Sequence, residues 1–310
     1  MLYCAHEFDK MVTYMSDTSS TKLSSMASNL VFKQLDLTGL RVLIDLALTE
    51  GWNPGLSDAE LFYVADENGF YGCFIGDELI GGGSLVSYND DFGFMGLFIV
   101  KPEFRGTGIG TRLWHFRKNT LLARLNNDAA IGMDGVVTMQ DFYKKGGFEI
   151  SFRDERYQRI GEIFESDSNV SDFNIGDLTA ILDFDLECFG VNRKKFLVPW
   201  LLSENARAIT SKSADELKGF AVIRKCHLGY KIGPLFAENF SVAEALYKTC
   251  LTIGQGEQIF LDIPVVNKDA VDLVKKFKAK YVFECARMYA GSPPKTPLLK
   301  VFGITSFELG

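Results

Sequence analysis

Val100-Lys-Pro-Glu-Phe-Arg-Gly-Thr-Gly-Ile-Gly-Thr111 joins the end of an apolar run, Met95 to Val100, to a glycine-rich loop and the start of a helix. Beyond the loop, Ile109, Leu113, Phe116, Thr120 and Leu121 keep the spacing of one helix face. Glycine has no Cβ, so Gly106, Gly108 and Gly110 let backbone N–H groups turn toward a ligand, and the first turn of any helix carries N–H groups without internal partners. Together they form a cradle for a diphosphate. From Arg105 to Asn127 the charged residues are Arg105, Arg112, Arg117, Lys118 and Arg124, with no Asp or Glu. A first-turn acid is the ordinary helix preference, and its absence leaves the positive end of the dipole to an external anion. The competing reading is a glycine-rich turn that merely caps a core helix. No Gly-Lys-Ser/Thr follows, which excludes a P-loop, and no acid stands about 20 residues on to hold a dinucleotide ribose.

The stretch Arg105-Gly-Thr-Gly-Ile-Gly110 resembles the Arg/Gln-x-x-Gly-x-Gly/Ala pyrophosphate loop of the GCN5-related N-acetyltransferases, and Asp141-Phe-Tyr-Lys-Lys-Gly-Gly-Phe148 resembles that family's Leu/Phe-Tyr-x-x-x-Gly-Phe signature. The order of elements agrees. A strand over Leu30 to Asp36, helices over Gly39 to Thr49 and Ala59 to Ala65, and a hairpin of Phe70 to Ile75 with Glu78 to Ser87 precede the motif; a strand near Ala129 to Val137 follows it. Glu50-Gly-Trp-Asn-Pro-Gly55 and the closing Lys300 to Gly310 resemble the YitH-like branch, in which a catalytic domain is followed by a degenerate one.

The bulk properties set outer limits. At 310 residues the chain exceeds the usual single domain. A net charge of −7 argues against a nucleic-acid binder or an anionic-membrane binder, and no apolar run approaches the roughly 18 residues of a membrane span. Six scattered cysteines without C-x-x-C read as reduced core residues, and His6, His115 and His227 are too dispersed for a zinc site, so no metal is expected. His115, on the motif helix, is read as a surface residue in preference to a catalyst. Residues 1–29 hold a Ser/Thr-rich tract without periodicity, read as a flexible tail lacking a signal-peptide core; a cytoplasmic protein is the expectation.

After residue 160 a polar, acidic passage, Gly161 to Ser171, leads into a second strand–helix series. The fold class expected is α/β (α+β) with tandem acetyltransferase folds, catalytic over 30–160 and degenerate over 161–310, each a mixed, mostly antiparallel twisted sheet flanked by helices. Where the first half has its glycines, the second has Gly233 to Glu244. Ser241 and Glu244 there read as a capping box that would occupy the N–H groups a phosphate needs, and Glu238 adds negative charge. Val274 stands where Tyr143 stands in the first half. The second half therefore serves either to wall the substrate cleft or only to stabilise the first.

Acyl transfer from a thioester to an amine requires that the donor be held, the amine lose a proton and the thiolate leave. The resemblance implies acetyl-CoA as donor, with its diphosphate on Arg105, Gly106, Thr107, Gly108, Ile109 and Gly110, a hydroxyl contact from Thr111, and its arm along the open edge of Phe98, Ile99 and Val100, a strand that splays from its neighbour. Tyr143 is the expected general acid: a phenol near pKa 10 is protonated at neutral pH. An amine of pKa about 10.4 is neutral in only about one part in 2,500 at pH 7, so a base matters. The stretch Phe94 to Val100, where many members of the family carry a carboxylate, has none; Asp134 is the substitute expected, while Asp90 and Asp91 read as turn residues. Val136 replaces the asparagine usual before the tyrosine helix. Substrate contacts are expected from Trp52, as an apolar wall or as a packing anchor, from Asn53, and from Glu308, which either binds a cationic acceptor or is solvated. The partner expected is a small-molecule primary amine; a protein amine, or acyl-CoA sensing without turnover, are the alternatives. The chain reads equally as monomer or homodimer.

Overall fold

A computed structural model describes residues 29–310, so the tail expected over 1–29 lies outside the described residues but for its last position. The first half opens with β1 (Leu30–Gln34), α1 (Leu37–Thr49) and α2 (Asp58–Ala65). The Asp36 side chain caps α1 by accepting from Gly39 N at 2.8 Å, and Gly51, at φ +77°, follows its end in the left-handed conformation that glycine adopts without cost. The apolar spacing Leu40, Leu43, Ile44, Ala47 is the face α1 buries. Each buried leucine or isoleucine of that face contributes roughly 1.5–3 kcal/mol by leaving water.

The strands β2 (Phe70–Ile75), β3 (Glu78–Ser84), β4 (Val86–Asn89), β5 (Phe92–Met95) and β6 (Ile99–Val100) precede α3 (Ile109–Leu122). Then come β7 (Ala130–Val136), α4 (Gln140–Lys145) and β8 (Glu149–Ile160). The second half repeats the plan with β9 (Val170–Asp172), α5 (Leu178–Phe189), α6 (Lys194–Leu201), β10 (Ala206–Ser213), β11 (Glu216–Lys225) and β12 (Tyr230–Ala237). It finishes with α7 (Phe240–Ile253), β13 (Gln258–Pro264), α8 (Lys268–Lys276), β14 (Lys280–Ala290) and β15 (Val301–Gly303).

The strand order is β1-β2-β3-β6 in a small sheet and β4-β5-β7-β14-β8-β13-β12-β11-β10-β9 in a large one, with β15 added beside β12. Pairing between strands is antiparallel except at two equivalent places, β5 with β7 and β12 with β13. Each half thus has the mixed, mostly antiparallel sheet expected of it. The sequence did not disclose that the halves exchange strands. β14, from the second half, lies between β7 and β8 of the first; β8 in turn lies between β14 and β13 of the second. One sheet runs through both halves, because each long strand finds its backbone partners across the midline.

Two corrections concern the motif region and its counterpart. The apolar run Met95 to Val100 is not one strand: it breaks at Gly96–Phe98, where Leu97 takes φ +48°. In α7 the cap is Asn239 and not Ser241. The Asn239 side chain accepts from Val242 N at 3.1 Å and from the Ser241 hydroxyl at 2.7 Å, while Glu244 pairs with Lys248 and Lys276 at 2.7 and 2.6 Å. An asparagine side chain reaches the N–H groups at least as well as a serine does. The tip is closed, by a different residue.

Candidate active site

The first half splits where two strands change sheets together. β3 passes into β4 through Leu85, leaving the small sheet for the large one, and β5 passes into β6 in the opposite sense. At the crossing, Ser84 N donates to Gly96 O and Gly96 N to Ser84 Oγ, both at 2.8 Å. Arg117 of α3 reaches in and donates through Nη2 to the carbonyls of Ser84 and Gly96. Its guanidinium lies 5.2 Å from the Phe98 ring centre; Nε and Nη1 are buried without partners, and burial lowers its pKa to about 10. This residue escaped sequence reasoning as a structural element. The signal was there: Arg117 falls on the buried face of α3 between Leu113 and Leu121.

Past the Met95–Met133 pair, β5 and β7 have no further pairing, because Ile99 and Val100 pair instead with Gly82 and Gly81 of β3. The expected splay is therefore present, and β6 has one edge unpaired by any strand. The N-terminus of α3 lies beside it. Gly106 and Gly108 sit at φ +73° and +84°, and a Cβ on either would meet nothing within 4 Å, so both border open space. Gly108 occupies the cap position with no side chain closing it, the first turn holds no acid, and Arg112 N makes the helical bond to Gly108 O at 3.1 Å. The sides of the loop are pinned. Arg105 donates to Val100 O at 2.8 Å and pairs with Glu50 at 2.5 Å, and Thr107 Oγ1 donates to Phe104 O at 2.6 Å. Ile109 is buried beneath the tip, while Thr111 is exposed on the first turn. This is the geometry a diphosphate requires: backbone donors bare, supports rigid.

Tyr143 projects from α4 into a buried cluster with Trp114, the ring centres 5.0 Å apart. Burial pushes its phenol up to about 12, against a smaller lowering from Arg117. The side chain packs at Gly135, where a Cβ would come within 2.9 Å of its ring. Successive residues of a strand face opposite ways, so Asp134 points away from Tyr143. Asp134 is instead clasped by Arg287 of β14 through two hydrogen bonds of 2.7 and 3.0 Å, with none of its side chain exposed. Burial raises its carboxyl and Arg287 lowers it. Contrary to the expectation, Asp134 is thus not beside Tyr143 but on the opposite face, with both carboxylate oxygens committed to Arg287 of the exchanged strand.

The residues expected to meet substrate are dispersed differently. Asn53, at φ +51°, spends its amide on the second half, donating to Leu228 O and accepting from Leu228 N, each at 2.8 Å. It is a clamp between halves, not a free substrate contact. Trp52 is half-buried against the helical core, and its carbonyl accepts from Lys231 Nζ at 3.0 Å, which favours the packing anchor. Glu308 is only 7% exposed, so it is not solvated, and its Oε2 has no hydrogen-bond partner. It belongs to a buried belt of charges on the face opposite Tyr143: Asp134–Arg287, Arg156–Asp262 and Asp58–Arg224. Asp154 lies among them with both oxygens unpartnered, and burial, then the Asp134 carboxylate, push it well above the usual range. His115 is exposed on α3, and Asp91 serves the β4–β5 turn.

The second half offers no equivalent opening. Its parallel pair, β12 and β13, also parts after three residues, but β15 enters the split and pairs with β12 at Leu235 and Phe236. A cavity of about 950 Å³ does border α7; of its cations, Arg159, Lys248 and Lys276 are paired with Glu162 and Glu244, while Lys278 and Lys280 add further positive charge.

An open helix tip beside a split parallel strand pair, with a buried tyrosine under the split, defines an acyltransferase of the acetyltransferase fold. The chain belongs to the GCN5-related N-acetyltransferase family, twice over: the Acetyltransferase (GNAT) family matches residues 37–148, and an Acetyltransferase (GNAT) domain matches residues 181–303. It is 30% identical over 293 residues to the holothin acyltransferase of Pseudoalteromonas sp. (strain SANK 73390), covering 94% of this chain and 98% of that one. The uncharacterised N-acetyltransferase YitH of Bacillus subtilis (strain 168) is 25% identical over 72% of this chain and 78% of its own. Among solved structures, a Pyrococcus horikoshii protein assigned as an acetyltransferase superposes with a TM-score of 0.79 at 24% identity, over 91% of this chain and 96% of that one. A tandem GNAT protein from the clavulanic acid biosynthesis pathway gives 0.62 at 11% identity, over 86% and 99%. The likeness in fold thus extends to a second protein with two such halves. Among the described residues, no helix is long and apolar enough to cross a membrane.

Proposed function

We propose that the first half binds acetyl-CoA at the tip of α3 and transfers its acyl group to a primary amine of a small molecule. The single observation that carries this is the contrast between tips: Gly108 leaves α3 uncapped beside open space, whereas Asn239 closes α7. Bound acetyl-CoA would supply the acyl thioester. The backbone N–H groups from Gly106 to Thr111 would hold the diphosphate, with Arg105 fixing the loop from the side. The unpaired edge of β6, reached through Phe98, Ile99 and Val100, offers main-chain groups to an extended arm. Tyr143, protonated throughout the neutral range because burial raises it, would give its proton to the leaving sulfur.

The acceptor would arrive on the other face, where the charged belt lies. That belt is almost wholly buried between the halves, which suits a compact amine better than a protein chain. The name of the Pseudoalteromonas relative, an acyltransferase, supports turnover over mere sensing. Thiol release from acetyl-CoA, followed with a panel of primary amines, tests the reading. Release above background with at least one small amine is expected. Tight coenzyme binding with no release for any amine would favour a sensor.

A further inference from the structure

We infer that Glu308, carried on the last residues of the second half, is the general base that takes the proton from the acceptor amine in the first half's site. This rests on the acyl-transfer reading above. After β15 fills the second half's split, the chain continues from Ile304, whose N–H donates to Asp262 O at 2.9 Å, across the shared sheet to the crossing of the first half. There it lies directly on Gly96: a Cβ at that position would come 2.1 Å from the Glu308 carbonyl oxygen. The place where β5 gives way to β6 therefore cannot carry a side chain of its own, and the tail covering it brings a carboxylate.

The main chain around Glu308 is held from several sides while Oε2 of its carboxylate is buried without a hydrogen-bond partner. Ser84 Oγ donates to Glu308 O at 3.4 Å, and the Tyr88 hydroxyl donates to Leu309 O at 2.8 Å. Ser306 Oγ accepts from Leu309 N at 3.1 Å, and Arg193 donates to Thr305 Oγ1 at 2.7 Å and Gly310 O at 2.9 Å. Leaving a buried carboxylate oxygen unmatched is costly, and such an atom calls for an explanation. A fixed backbone with an uncommitted acidic group is what a preorganised base needs.

The neighbours explain why the task falls here. The charged groups facing Glu308 are Asp134 on β7, Arg156 on β8, Arg224 on β11 and Lys231 on β12. The first three are consumed in ion pairs with Arg287, Asp262 and Asp58. Lys231 donates to the Trp52 carbonyl and has no proton-accepting role while charged. Glu308 and Tyr143 stand on opposite faces of the split. The ammonium form of the acceptor gives one proton to the Glu308 carboxylate, and the neutral amine then attacks the thioester carbon to form the nitrogen–carbon bond. The carbon–sulfur bond breaks as the Tyr143 hydroxyl proton passes to sulfur, and the second nitrogen proton restores the phenol, so charge and protons balance.

The test is Glu308→Gln in the full chain, assayed with acetyl-CoA, alkylamines turned over by the wild type, and hydroxylamine, whose nitrogen is largely unprotonated at neutral pH. Expected are coenzyme affinity and melting temperature close to wild type and a loss of about 100-fold or more in kcat/KM on alkylamines. The loss should shrink to less than about 10-fold on hydroxylamine, and kcat/KM of the glutamine variant on alkylamines should follow the free-amine fraction, rising about tenfold per pH unit. Glu308→Asp should keep the wild-type pH profile at a reduced rate, which separates lost chemistry from a damaged tail. Equal losses on both acceptors, or a glutamine-variant profile parallel to that of the wild type, overturns the inference. Wild-type inactivity toward every amine would sink the acyl-transfer reading, and this assignment with it.

Discussion

The tips of α3 and α7 begin from the same plan and end in opposite states. α7 follows β12 of one parallel pair, α3 follows β6, the continuation of β5 of the other, and both pairs part after a few residues. At α3 the opening persists, since two left-handed glycines face open space and no side chain caps the helix. At α7 the Asn239 side chain accepts from the first turn, and β15 lies in the split. The lesson is that one side-chain cap and a few residues of added strand suffice to close a helix tip that the same plan leaves open elsewhere. The second half also contributes to the first, since β14 pairs with β7 and β8 and the tail after β15 covers Gly96.

Variants can break that contrast. The largest effect is expected from Gly108→Glu. A non-glycine residue at φ +84° costs roughly 1–2 kcal/mol, and a carboxylate about 4 Å from a diphosphate adds roughly 1–4 kcal/mol of repulsion. Coenzyme A binding measured by calorimetry should weaken at least about 100-fold while the protein stays folded; unchanged affinity would mean the site is elsewhere. Tyr143→Phe comes next, with kcat lower by about 100-fold or more and coenzyme affinity within about twofold. Because burial raises this phenol to about 12, its proton is retained from neutral pH upward, and wild-type kcat should show no decline attributable to it below about pH 10. An alkaline limb below that point that vanishes in the phenylalanine variant would contradict the direction of the shift.

The smallest effect sharpens the comparison from the other side. Asn239→Ala removes the α7 cap and should cost about 1 kcal/mol, a few degrees of melting temperature. It should create no second coenzyme site, because β15 still fills the split, and titration should continue to give one site per chain. Two sites would show that the cap alone had closed the second half.

The residues most legible in sequence were those whose role is backbone conformation. Gly106 and Gly108, the absence of acids in the first turn of α3, and the order of elements around them could be read directly, because glycine at a helix start has few other meanings. Side-chain roles were harder. Asp134 has the right chemistry and lies near Tyr143 in sequence, but strand alternation turns it to the other face, and Arg287 arrives there from a strand 153 residues away. Asn53 and Leu228 are likewise joined across 175 residues. At α7 the closing of the tip was legible but its agent was not, since Asn239 and Ser241 are both good caps and the local path of the chain chose between them.

By itself the sequence determined the periodicities, the two glycine-loop and tyrosine motifs, and the asymmetry in charge between the two helix starts. These are properties of short segments, fixed by backbone sterics and local dipoles. Only the tertiary structure decided that β8 and β14 would trade places, that β15 would occupy the second split, and that Glu308 would come to rest on Gly96. Such outcomes depend on which distant backbone edges satisfy one another's hydrogen bonds, and on which buried charges find partners. No short window of residues contains that choice.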